Sequence, residues 1–180
     1  TPRLGEPLFL RDIWPSSPIL CYQEFYYRAF GYDYDFDPEL QPPPDWQACA
    51  RVRMKNAHIQ LMLDSSNWNV TPTAFQRSSF PTNWQQRISA IHDGIDTEKA
   101  APNPKVKPLT LPDGTVIQSG DSTVTFVNRC IEPYRGYHSL IRAIPELQRL
   151  APKARIVIVG ETSGVSYGRA CANGEYKDHF

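Results

Sequence analysis

The sequence predicts an α/β protein whose strands run parallel in two halves, and three observations carry that prediction. Two β-branched runs, 124–127 and 156–159, flank an amphipathic helical segment, which is the pattern of a βαβ unit. Upstream, short strand and helix patterns alternate, again arguing for a parallel sheet. Between the halves lies a proline-rich interval, 97–121, that interrupts regular structure. Proline cannot donate to a helix or a sheet ladder, and the chain concentrates its prolines in such breaks, at Pro42, Pro43 and Pro44 and again at Pro102, Pro104, Pro108 and Pro112.

Taken in order, residues 17–25 read as a buried strand. Residues 30–44 are aromatic, then acidic, then proline-rich, and read as a long irregular loop. Asp45 can cap a helix running to about residue 63. Ala50, Met54, Ala57 and Leu61 fall on one face of it, with Arg51, Arg53 and Lys55 on the solvated remainder. Residues 68–71 form a short strand. Thr71 followed by Pro72 fits an N-cap with proline at the first helical position, opening a short helix over 73–79. Residues 88–92 are a further strand, and Gly94 permits a turn with positive φ. Within 97–121, residues 109–111 and 115–118 can pair around Pro112-Asp113-Gly114. A strand over 123–130, a helix over 137–150 and a strand over 154–160 follow. Leu140, Ile144 and Leu147 share a helix face. Pro145 inside that helix costs on the order of 3 kcal/mol and predicts a kink near Arg142. A last helix is expected to begin in 176–180.

Composition narrows the function classes. The chain has 19 basic and 19 acidic residues, so the clustered basic excess of a nucleic-acid binder is missing and no nucleic-acid partner is expected. No apolar run approaches the roughly 20 residues of a membrane span. No transmembrane segment is therefore expected, although peripheral membrane contact is compatible with the sequence. Cys21, Cys49, Cys130 and Cys171 include no Cys-x-x-Cys pair, and the histidines are scattered. Neither a zinc site nor a disulfide framework fits that spacing, and isolated thiols point to a reducing compartment, the cytoplasm. No metal and no cofactor is expected. Thr1 stands where an initiator methionine would, which predicts processing or a longer parent.

The densest chemistry lies between residues 124 and 168. A strand leads into Asn128-Arg129, five further residues, then Arg135-Gly136 and a helix. Ligands of open α/β sheets bind at the carboxyl ends of strands, and two guanidiniums there offer rigid donor forks for phosphate oxygens. The plainer alternative is a solvated basic loop. Glu132 sits between the arginines, where a structural role is favoured over a chemical one. Glu24, just after the first strand, is either an acceptor contact or an ordinary strand-end carboxylate. Tyr22, Tyr26, Tyr27, Tyr32 and Tyr34 either stack on a sugar or pack internally. His92 and Asp93 are read as turn residues ahead of Gly94, with Asp96 as a cap. Gly160 to Gly164 is glycine-bounded but weak as a phosphate loop.

This order of strand, Asn128-Arg129, Arg135-Gly136, amphipathic helix, strand and Gly160 resembles the donor half of family 4 (group 1) retaining glycosyltransferases of the GT-B fold. The segments 165–168 (Val-Ser-Tyr-Gly) and 88–96 (Ile-Ser-Ala-Ile-His-Asp-Gly-Ile-Asp) also resemble a bacterial branch of it, and the likeness runs over roughly residues 8 to 180. Two positions depart: Asn128 stands where the family usually has glycine, and Arg135 where it usually has lysine. The resemblance implies an incomplete GT-B-like arrangement of two Rossmann-like halves. Residues 1–96 would be the end of the acceptor-side domain, 97–121 an interdomain linker, and 122–180 the first βαβ unit of the nucleotide-sugar domain. It implies transfer of a sugar from a nucleotide-sugar donor to a glycan or lipid-linked acceptor, in polysaccharide or glycoconjugate biosynthesis. Arg129 and Arg135 would be the catalytic pair, binding the donor diphosphate with Gly136 and Gly160, and Glu24 would lie on the acceptor side. The family's glycine-rich loop would precede Thr1 and its donor-side glutamates would follow Phe180, so this chain alone is expected to be inactive. A non-catalytic α/β module that binds nucleotide or a partner is the alternative.

Overall fold

The computed structural model describes residues 7–180, so Thr1 lies outside the described residues. It divides into two compact units, Thr1–Ala100 and Ala101–Phe180.

The first unit opens with a single helical turn, α1 (Leu10–Ile13), and strand β1 (Leu20–Tyr22). Residues 23–45 have no regular structure, so the expected loop over 30–44 extends back to the end of β1 and the strand expected over 17–25 is confined to 20–22. The loop's aspartates close the turns that hold it: Asp33 accepts from the Arg28 amide at 2.7 Å and Asp35 from the Gly31 amide at 2.7 Å. Helix α2 (Trp46–Ser65) starts where Asp45 accepts from the Ala48 amide at 2.7 Å. Then come β2 (Trp68–Thr71), α3 (Ala74–Ser79), α4 (Thr82–Gln85) and β3 (Ile88–Ala90). The sheet order is β1-β2-β3, and both pairings are parallel. One core cluster joins Ile59, Leu63, Phe80 and Ile88, with Tyr26, Tyr27 and Trp84 against it. A second joins Ile19, Cys21 and Met62.

Two expectations are corrected here. The buried stripe of α2 is Ala48, Asn56, Ile59, Met62 and Leu63, whereas Met54 and Leu61 are 72% and 57% exposed. The stripe turns this way because Asn56 has backbone to satisfy: its Oδ1 accepts from the Tyr27 amide at 3.0 Å and its Nδ2 donates to the Tyr27 carbonyl at 2.7 Å. A fully hydrogen-bonded amide tolerates burial that an unpaired one would not. The cap of α3 is Thr73, which accepts from the Gln76 amide at 3.1 Å. Thr71 belongs to β2 and is fully buried there, so Pro72 is not the first helical residue.

The second unit contains a hairpin, β4 (Leu109–Thr110) with β5 (Val116–Ile117), antiparallel around Pro112-Asp113-Gly114. The Asp113 carboxylate accepts from the Thr115 amide at 2.9 Å and closes the turn. Strands β6 (Thr123–Cys130) and β7 (Arg155–Glu161) pair in parallel with helix α5 (Tyr137–Leu150) between them, the expected βαβ order. Arg155 ties the hairpin to β7 by donating to the Val116 carbonyl and, at 3.3 Å, to the Asp121 carboxylate. Helix α5 continues through Pro145 as one element. Leu140, Ile144 and Leu147 are its half-buried face, and Val124, Leu147, Ala151, Ala154 and Ile156 line an apolar seam beside the sheet. The last turn is α6 (Tyr176–His179).

Candidate functional site

In the first unit Arg11, Arg28, Arg77 and Arg87 are spent on structure. Arg11 donates to the Ser65 carbonyl through Nε at 3.2 Å and Nη2 at 3.0 Å, and Arg28 donates to the Ser79 carbonyl at 2.7 Å and the Phe80 carbonyl at 3.2 Å. Both therefore neutralise the carbonyl-rich end of a helix. Arg77 and Arg87 likewise donate to the carbonyls of Gln85 and Ser66. Such arginines are unavailable to an anion.

Arg129 differs. The ladder pairs Val127 with Val159 and then Cys130 with Glu161, so β6 carries one more residue than β7 over this step. That is a β-bulge at 128–129, a device that re-aims side chains near functional sites. Arg129 is exposed there and makes no side-chain hydrogen bond or ion pair with any described residue. It lies within the strand expected over 123–130, since pairing continues to Cys130, and the loop proper begins only after that residue.

The loop is then short and rigid. Residues Pro133–Arg135 form one 3-10 turn, with the Arg135 amide on the Glu132 carbonyl at 3.0 Å and the Gly136 amide on the Pro133 carbonyl at 2.8 Å. Gly136 has φ +78° and launches α5 with no side-chain cap. A Cβ there would meet nothing within 4 Å, so the glycine is needed for its backbone conformation. Gly160 has the opposite need. A Cβ on it would lie 2.9 Å from the Asn128 carbonyl oxygen and 3.1 Å from Ile131 Cδ1, so its missing side chain lets β7 approach the bulge.

Glu132 is the hub. Its side chain is fully buried. Its carboxylate accepts from the Ser166 amide at 2.5 Å, the Ser166 hydroxyl at 3.0 Å and the Tyr167 amide at 3.1 Å. Arg135 Nε lies 3.4 Å from the same carboxylate, an ion pair without hydrogen-bond alignment. The Arg135 guanidinium also sits over the Tyr167 ring, 5.0 Å from its centroid. At Gly168 a Cβ would come within 2.8 Å of the Tyr134 ring. The segments 129–136 and 165–168, distinct in sequence, are thus one structure. Sequence reasoning favoured a structural Glu132 but missed its partners, since no local signal links positions 34 residues apart.

The other candidates lie elsewhere. Glu24 follows β1 in the first unit and lines a small cavity, about 50 Å³, with Gln23, Phe25, Tyr27, Lys55 and His58. Most of the tyrosines pack: Tyr26 and Tyr27 cover the core, and Tyr32 joins Phe25 and Phe75 in an aromatic cluster while its hydroxyl contacts Ser78. Tyr22 donates to Asp93 at 2.8 Å. His92 Nδ1 accepts from the Gly94 amide at 3.0 Å, and Asp96 accepts from the Glu98 and Lys99 amides, both at 3.1 Å. These are turn contacts. In 160–164, Glu161 accepts from the Ser163 hydroxyl and amide, which holds its carboxyl below the usual range. A fixed anion there argues against a phosphate loop. Among the described residues no group of three or more His, Cys, Asp or Glu is placed to hold a metal ion, and no helix is long and apolar enough to cross a membrane.

Comparison with known proteins bears on the first unit. No curated protein matches the chain. A family model, that of the glycosyl transferase family 4 group, matches residues 2–100 and stops where the first compact unit ends. That match covers more than half of the sequence, and the chain belongs to the glycosyl transferase family 4 group.

Proposed function

We propose that the second unit carries the donor side of a retaining, GT-B-type glycosyltransferase, and that Arg129 and Arg135 receive the diphosphate of a nucleotide sugar. The observation that carries this reading is a pair of guanidiniums with donors to spare at the carboxyl end of β6, one on a bulge and one on a rigid turn opening into a 14-residue helix. The family match lies in the other unit and supports transfer of a sugar in general. As the glycosidic bond to the diphosphate breaks, negative charge grows on the leaving phosphate, and preorganised cations stabilise that charge without a metal. Arginine forks suit paired phosphate oxygens, and the helix N-terminus adds a favourable dipole. Glu24 is assigned to the acceptor side in this proposal, and the acceptor is a glycan or lipid-linked glycan.

Titration of the chain with a nucleoside diphosphate and with the matching monophosphate tests this. Tighter binding of the diphosphate, weakened by rising salt and by Arg129→Ala and Arg135→Ala alike, is the expected result. Equal affinities, insensitive to both substitutions, would instead favour a solvated basic loop.

A further inference from the structure

Glu132 poses a problem for a phosphate site. A carboxylate 3.4 Å from Arg135 offsets part of that arginine's charge, and Coulomb attraction alone would be better served without it. Yet it is fully buried and engaged by three donors of 165–168 as well as by Arg135 Nε. Burial of a charge is tolerated only when paired and hydrogen-bonded in this way. The contacts constrain Arg135 from two directions. The carboxylate pairs with the guanidinium by charge, 3.4 Å from Nε, and the peptide it anchors carries Tyr167, whose ring lies 5.0 Å from the guanidinium carbon. A guanidinium has five N–H donors in one plane. With Nε buried beside the carboxylate and one face on a ring, the four Nη hydrogens remain for an oxyanion, and the two contacts restrict the plane that carries them.

We infer that Glu132 is a positioning residue: it fixes the Arg135 guanidinium, directly and through the Ser166–Tyr167 peptide, in the orientation that a diphosphate requires. This rests on the donor-side reading above. The sign of one effect separates it from simple electrostatics. Removing the negative charge tightens anion binding if charge alone matters, and weakens it if orientation dominates.

The test uses the 180-residue chain, inorganic pyrophosphate as probe, and the Arg135 Nε–H resonance in ¹⁵N-edited NMR spectra. In Glu132→Gln the resonance should lose its protection from solvent exchange, and the pyrophosphate Kd should rise about tenfold, the low end of what orienting partners carry at metal sites. Unchanged or tighter pyrophosphate binding in Glu132→Gln, with weaker binding in Arg135→Ala, overturns the positioning role and leaves the donor-side reading intact. Unchanged binding in Arg135→Ala overturns the donor-side reading and this inference with it. Should Glu132→Gln unfold the unit, Ser166→Ala and Tyr167→Leu take its place. Each removes one support and should partly expose Nε–H and weaken pyrophosphate binding several-fold. An Arg135 resonance as protected as in the parent chain in both variants overturns the inference.

Discussion

Replacing Gly160 by alanine probes how closely β7 approaches the bulge that carries Arg129. The added methyl would stand 2.9 Å from a backbone oxygen, Asn128 O, and 3.1 Å from Ile131 Cδ1. The isoleucine terminus can rotate away, but the carbonyl is part of the β6 ladder and moves only if the bulge moves. Overpacking of this kind costs about 1–3 kcal/mol. Gly160 is not among the glycines with positive φ, so alanine fits its backbone and stiffens the unfolded chain, returning about 0.4–1 kcal/mol. The steric term wins, with a net loss of roughly 1–2 kcal/mol. For a unit of this size that lowers Tm by about 4–8 °C per kcal/mol. Thermal unfolding followed by the amide resonances of β6 and β7 is the assay. The Asn128, Arg129 and Ile131 signals should shift most. A Gly160→Ala unit as stable as the parent or more so, with those signals unmoved, would refute the close approach.

Three further outcomes follow from the same geometry. Asn56→Ala strands the half-buried Tyr27 amide and carbonyl and should cost about 2 kcal/mol, the low end of the about 1–3 per orphaned group because both are only partly buried, read as a lower urea midpoint for the first unit. Met54→Lys lies on the exposed side of α2 and should stay within about 0.5 kcal/mol by the same measurement, whereas a large loss would restore the helix face that periodicity alone suggested. Gly136→Ala forces a left-handed backbone on alanine and should destabilise the second unit by about 1 kcal/mol with no steric clash, measured by thermal melting.

The parallel strands, the Asp45 cap and the βαβ order were legible because each follows from local pattern: β-branched runs, a capping side chain and helical periodicity. The misreadings share a cause. The Ala50, Met54, Ala57 and Leu61 spacing was a sound helical pattern, but the buried face of α2 is set by Asn56, whose partner is the backbone of a loop 29 residues away. Thr71 looked like a cap because proline follows it, yet the sheet needed that residue as a strand member. The strand over 123–130 is legible with Arg129 in it, but the bulge at 128–129 is not, because bulges leave no composition signal of their own. At the site, the two arginines and Gly136 were readable as residue types in a pattern. Glu132 as the link between two segments was not, since hydrogen bonds across long sequence separations exist only after folding.

The central claim is that the bulge and turn after β6 carry phosphate chemistry, and the most direct measurement is turnover with a nucleotide-sugar donor. It is made on this chain, or on any longer protein that contains it, comparing the unsubstituted protein with Arg129→Ala, Arg135→Ala and Arg135→Lys. Removing one preorganised donor from a developing oxyanion typically lowers kcat by about 100- to 1000-fold. Both alanine variants should fall in that range with Tm little changed. Arg135→Lys should be the mildest, because a point charge still serves phosphate while the Nε contact to Glu132 is lost. Parental rates of donor-dependent transfer and donor hydrolysis in both alanine variants would contradict the account and leave a solvated basic loop in its place.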